Sequence, residues 1–77
     1  MKPLRWWKSP RTGVSYPVSM QVSDLRLEPL MDDQELDVRA SSGTIYWEGA
    51  VRVFSKSNNE IGTGYLELTG YWKPMKL

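Results

Sequence analysis

The sequence predicts an all-β protein, an antiparallel meander of about five strands curling into a partial barrel. Three observations predict it. Apolar and polar residues alternate with period two over several short runs. Polar, Asn-, Ser-, Gly- or Pro-containing stretches separate those runs. Glycines at positions 49, 64 and 70 fall inside or at the ends of the longest runs, where they mark the bends and bulges that curl a sheet.

The elements follow in chain order. Residues 1–13 hold Pro3, Pro10 and Gly13 among Lys2, Arg5, Lys8 and Arg11, so they read as an N-terminal arm ending in a turn at Ser9–Gly13. Trp6 and Trp7 in this arm are expected to cover the open end of the core. Tyr16, Val18, Met20 and Val22 share one face, with Ser15, Pro17, Ser19, Gln21 and Ser23 on the other, which is a half-buried strand. Leu25–Glu28 is a short second strand stopped by Pro29. Asp32-Asp33 is a turn, and Glu35–Ala40 alternates again through Leu36 and Val38. The β-domain is expected to span 14–73, with a tail at 74–77.

The segment 44–72 is the most informative. Ile45, Trp47, Gly49, Val51 and Val53 alternate with Tyr46, Glu48, Ala50, Arg52 and Phe54; after the polar turn Ser57-Asn58-Asn59-Glu60, Gly64, Leu66, Leu68, Gly70 and Trp72 alternate with Tyr65, Glu67, Thr69 and Tyr71. Asn tolerates positive φ, so Asn58-Asn59 is placed at the tip of a hairpin. Trp47 then lies opposite Gly70, Gly49 opposite Leu68 and Val51 opposite Leu66. One face is apolar; the other carries tyrosines, Glu48, Glu67 and Arg52. In this register the two carboxylates are diagonal neighbours.

Composition excludes several function classes. The 77 residues contain neither cysteine nor histidine, so disulfides, thiol chemistry, imidazole bases and the commonest zinc ligands are absent. Ten basic residues against nine acidic ones give no basic excess for nucleic acid. No apolar run is long enough for a membrane span or a signal peptide, and the compartment is unassigned. Asp32, Asp33, Glu35 and Asp37 lack the spacing and glycine of a calcium loop and read as solvated turn charge; no metal and no cofactor is expected. Candidate ligand-binding residues are Trp47, Glu48, Tyr65, Glu67, Tyr46, Tyr71 and Arg52. If their face lined a cavity, burial and like-charge repulsion would raise one carboxyl.

Several strings carry a resemblance: Trp7 with Ser9-Pro10 and Gly13, Tyr16-Pro17, Asp33-Gln34-Glu35-Leu36, Tyr46-Trp47-Glu48-Gly49-Ala50-Val51, and the run from Gly62-Thr63-Gly64 to Thr69-Gly70-Tyr71. Together they resemble the C-terminal portion of the carotenoid 1,2-hydratase (hydroxyneurosporene synthase) family and its AttH-like secreted-hydrolase relatives. The resemblance implies a lipocalin-like barrel that forms wall and part of an apolar ligand cavity. The aspartate proposed as proton donor in that family lies upstream of the matching portion, and no motif here corresponds to it. Catalysis by this chain alone is therefore not expected. The partners implied are an apolar small molecule, and either a homodimer through open sheet edges or an upstream lipocalin-like domain. The alternative is an autonomous small β-barrel serving binding or assembly, anchored by Trp6, Trp7 and Trp72.

Overall fold

The computed structural model describes residues 1–72, so the expected tail at 74–77 lies outside the described residues. Six strands form one antiparallel sheet: β1 (Lys2–Lys8), β2 (Ser15–Val22), β3 (Leu25–Pro29), β4 (Glu35–Asp37), β5 (Ile45–Phe54) and β6 (Glu60–Leu68). A single helical turn, α1 (Arg39–Ser42), sits between β4 and β5 and ends at Gly43 in the left-handed conformation, φ 73°. Glu35–Ala40, expected as one strand, thus keeps only its first three residues extended.

The segment expected as an arm is an edge strand that pairs antiparallel with β2. Pro3 is compatible with this because an edge strand can leave an N–H position unpaired. Two register shifts interrupt β1, between Pro3 and Arg5 and between Arg5 and Trp7. The sheet runs β1, β2, β3, β5, with β6 on the far edge of β5; it does not close among the described residues.

β5 is the spine. One of its edges takes β6; the other is shared end to end by β3, opposite Val51–Phe54, and β4, opposite Ile45–Trp47. The gap between β3 and β4 is bridged by Gln34. Its backbone carbonyl accepts from Glu48 N (3.2 Å), its side-chain Oε1 accepts from Ala50 N (3.1 Å), and its Nε2 donates to Ala50 O (3.2 Å). A side-chain amide thus stands in for a missing backbone rung. This requires Gly49, because a Cβ there would overlap the Gln34 amide.

The period-two alternation forms the core as expected. Tyr16, Val18 and Met20 of β2 meet Trp47, Val51 and Leu68, with Val14 below and Trp7, Leu27, Leu66 and Trp72 packed against them. Trp47 is 0% exposed. A buried indole removes about 200 Å² from water, an upper bound of about 5 kcal/mol for one side chain.

The β5–β6 register departs from expectation by two residues. Trp47 lies opposite Leu68, Gly49 opposite Leu66 and Val51 opposite Gly64. The loop is the cause. Ser55 N donates to Asn59 O and Asn58 N to Ser55 O, both at 2.8 Å, so the turn spans three residues, with Asn58 left-handed at φ 67°. A bulge between Val53 and Phe54 then adds Ile61 to β6. A two-residue displacement preserves both faces, which is why the face assignment survives it.

Candidate functional site

Two constellations emerge, one anticipated and one not. The anticipated one is the outer face of β5 and β6. Tyr46, Glu48, Arg52, Tyr65 and Glu67 all share it, as alternation requires. Glu48 and Glu67 are directly opposite one another rather than diagonal. Tyr65 faces Ala50 and is 69% exposed; Glu67 is exposed and Glu48 half-buried. The Tyr46 hydroxyl donates to Glu48 Oε1 at 3.4 Å. Partial burial, then the charge of Glu48 and its hydrogen bond, then Glu67, push the Tyr46 phenol up. Arg52 turns away from the two carboxylates toward Glu60, at 3.5 Å.

The other two expected residues stand elsewhere. Trp47 points inward, its indole N–H donating to the Asp32 carbonyl at 2.7 Å. Tyr71 follows β6 and packs its ring against Trp6 and Tyr16, with centroids 6.1 Å apart in both cases. Tyr16 in turn stacks on Trp7 at 6.2 Å, so an aromatic seam joins β1 to the end of β6. Trp7 and Trp72 pack on the core, whereas Trp6 is 53% exposed. A shallow open groove of about 240 Å³ lies at the opposite end, between Leu4 on β1, Asp24 and Leu25 at the β2–β3 turn, and Ser55 and Lys56 at the β5–β6 turn. None of the expected residues lines it.

The unanticipated constellation is the segment Asp32–Glu35, in which every residue has its own partner. Arg5 donates to both oxygens of Asp32 at 2.8 Å, and Arg11 to both oxygens of Asp33 at 2.7 and 2.6 Å. Gln34 fills the β5 rung described above. Glu35, expected as solvated turn charge, is instead buried, with 1% of its side chain exposed. Its Oε1 accepts from Ser9 Oγ (2.6 Å) and Arg11 (3.4 Å), and its Oε2 from Thr12 Oγ1 (2.7 Å) and the Tyr16 hydroxyl (2.7 Å).

Burial pushes the Glu35 carboxyl up, but the hydroxyls of Ser9, Thr12 and Tyr16 and the Arg11 guanidinium outweigh it, and the net shift is downward. Tyr16 moves the other way: burial and then its bond to ionised Glu35 push the phenol well up. Ser9 is also the hub of its own turn, its hydroxyl accepting from Arg11 N (3.2 Å) and Thr12 N (3.3 Å). The cluster therefore ties the β1–β2 turn to β4. The signal for it in the sequence lay in Ser9, Thr12 and Tyr16 supplying three hydroxyls to one acid.

Chemically, Glu35 is held ionised and walled off, which suits a structural acceptor and not a proton donor. Among the described residues, no group of three or more acids is placed to hold a metal ion. The four acids at 32–37 are engaged by Arg5, Arg11, Arg39 and the hydroxyls instead.

The AttH-like family model matches residues 1–71. The crystal structure of a Nitrosomonas europaea protein designated AttH superposes with a TM-score of 0.80 and 48% sequence identity, over 92% of this chain. The match takes in 23% of the Nitrosomonas chain, so this sequence spans about a quarter of that protein's length. No curated protein matches it. A family model matching residues 1–71 and a structural neighbour 48% identical over 92% of this chain place the chain in the AttH-like family.

Proposed function

We propose that this chain is a lipocalin-like wall segment of a larger AttH-like protein, bounding part of an apolar ligand cavity and performing no catalysis alone. The observation that carries the reading is a curled, unclosed sheet with a continuous apolar inner face, matching 23% of a much longer relative. The inner wall is braced by Trp47, and the aromatic seam of Trp6, Trp7, Tyr16 and Tyr71 covers one end of it. Tyr46, Glu48, Arg52, Tyr65 and Glu67 present a polar surface outward, suited to packing against polar surroundings. The ligand class is a long apolar molecule of the kind a carotenoid 1,2-hydratase takes.

The reading on catalysis rests on the absence from this sequence of a motif corresponding to the upstream aspartate, and Glu35 does not take its place. Hydrating an isolated double bond needs an acid that gives its proton to carbon. A carboxyl stabilised as its anion by four donors is poorly suited to that step.

The test is a tryptophan-quenching titration with long-chain fatty alcohols and a polyene, run on the 77-residue chain and on a full-length AttH-like protein containing it. Saturable quenching in the longer protein, weakened by Trp47→Phe, is the expected result. Equal saturable binding by the short chain would instead favour an autonomous binding module, and absence of binding in both would remove the cavity.

A further inference from the structure

Among the described residues β1, β4 and β6 each pair on one side only; β4 is three residues long, and the two long edge strands, β1 and β6, are built differently. β1 carries Lys2, Pro3, Arg5 and Lys8 and two register shifts, devices that keep a strand from pairing with another chain. β6 carries neither proline nor lysine over Glu60–Leu68, and its only irregularity is the bulge at its start. From Gly62 to Leu68 it is a regular strand whose outer edge is unpaired among the described residues.

The pattern of side chains along that edge is self-complementary. Gly62, Gly64, Leu66 and Leu68 lie on the inner face, opposite Val53, Val51, Gly49 and Trp47 of β5. A Cβ on Gly62 would meet nothing within 4 Å, and one on Gly64 would make ordinary contact with Val51 at 3.5 Å and Val53 at 3.8 Å, so the first half of the strand leaves a shallow apolar notch. Thr63, Tyr65 and Glu67 share the outer face.

We propose that a second copy of this chain pairs with β6, antiparallel and two-fold, about Tyr65. In that register Gly64 faces the partner's Leu66 and Gly62 the partner's Leu68, on both sides of the axis, so a glycine lies beside each leucine, which keeps its packing on its own core. A glycine set against a larger apolar residue already occurs inside the hairpin, where Gly64 faces Val51. Tyr65 meets its own symmetry mate, and Glu67 meets Thr63 rather than another acid. The contact is isologous and closed, so it stops at a dimer. It adds main-chain hydrogen bonds to an edge, the recognition mode of strand addition. The inference is independent of the ligand reading, and neither test decides the other.

The experiment is sedimentation velocity of the 77-residue chain from low micromolar to millimolar concentration. A concentration-dependent dimer is expected. Tyr65→Lys, at a position 69% exposed and hence tolerant of substitution, places two ammonium groups face to face and should leave a monomer with an unchanged circular dichroism spectrum. Leu4→Lys on β1 should still dimerise. Because the chain has no cysteine, Tyr65→Cys offers one thiol per copy and should form a covalent dimer under mild oxidation. A monomer at every concentration overturns the proposal and leaves β6 to a strand from a longer chain. A dimer lost in Leu4→Lys but kept in Tyr65→Lys overturns it too, placing the contact on β1.

Discussion

Glu35 offers the sharpest test of how the fold is held. Glu35→Ala removes one acceptor group from three hydroxyls, those of Ser9, Thr12 and Tyr16, and from Arg11. Each buried donor left without a partner costs about 1–3 kcal/mol, and removing one member of a buried charged network about 3–5 kcal/mol in all. A chain of this length has a total stability of roughly 4–12 kcal/mol. The variant should therefore lose about a quarter of its stability or more, and be largely unfolded if the total lies at the low end. Glu35→Gln keeps an acceptor but adds a donor where donors already converge; a cost of about 1–2 kcal/mol corresponds to a Tm lower by about 5–15 °C.

The pH dependence separates a charge effect from simple packing. Folded Glu35 binds its proton more weakly than the unfolded chain does, where a glutamate titrates near ~4.3. Its contribution is fully present above that value and is lost as pH falls through the lower, folded value. Urea denaturation of wild type and Glu35→Gln from neutral pH into the acid range should give two curves that converge on acidification. Asp33 and Asp37 are also held low by Arg11 and Arg39, so the difference between the two proteins, and not the wild-type slope, is the diagnostic quantity. Parallel curves, or a Glu35→Ala protein as stable as wild type, would refute the argument that an ionised, fully bonded carboxylate ties β4 to the β1–β2 turn.

Three further outcomes are expected. Gly49→Ala should displace the Gln34 amide and cost about 1–3 kcal/mol; in a double-mutant cycle with Gln34→Ala the two losses should be strongly non-additive, measured by thermal denaturation. Glu48→Lys turns a directly opposed like-charge pair into an attractive one and should stabilise by about 0.2–1 kcal/mol, with the gain shrinking as salt is added. Trp47→Phe removes the donor to the Asp32 carbonyl and leaves space in the core, so urea denaturation should show a loss of about 2–4 kcal/mol with native β-sheet circular dichroism retained at neutral pH.

Much of this architecture is legible in the residues. The alternation of Tyr16, Val18 and Met20, and of Ile45, Trp47 and Val51, assigns the inner face, and those residues are buried; β2 is not half-buried as expected, because Pro17 and Ser19 on its other face are buried too. β3 runs one residue past the expected Leu25–Glu28 to include Pro29, which pairs with Val51, and the hairpin turn closes between Ser55 and Asn59, just ahead of the expected Ser57–Glu60. The matching strings from Trp7 to Tyr71 point to the family that the comparisons show. The candidate surface is legible in part. Five of its seven residues share one face, while Trp47 belongs to the core and Tyr71 to the aromatic seam.

What alternation determines is which side of the sheet a residue takes, because the strand repeat is two and needs no distant partner. The sequence by itself therefore determined an all-β chain, its two faces and its punctuation. Register was decided by loop geometry: three turn residues instead of two, and one bulged residue, moved every β5–β6 pair without exchanging the faces. Glu35 was decided by tertiary structure alone. Its hydroxyl partners lie 19 to 26 residues earlier in the chain, and a carboxylate between Gln34 and Leu36 carries no local mark of burial. Only when β1, β2 and β4 are folded together do those hydroxyls converge and make burying the charge cheaper than leaving it in water.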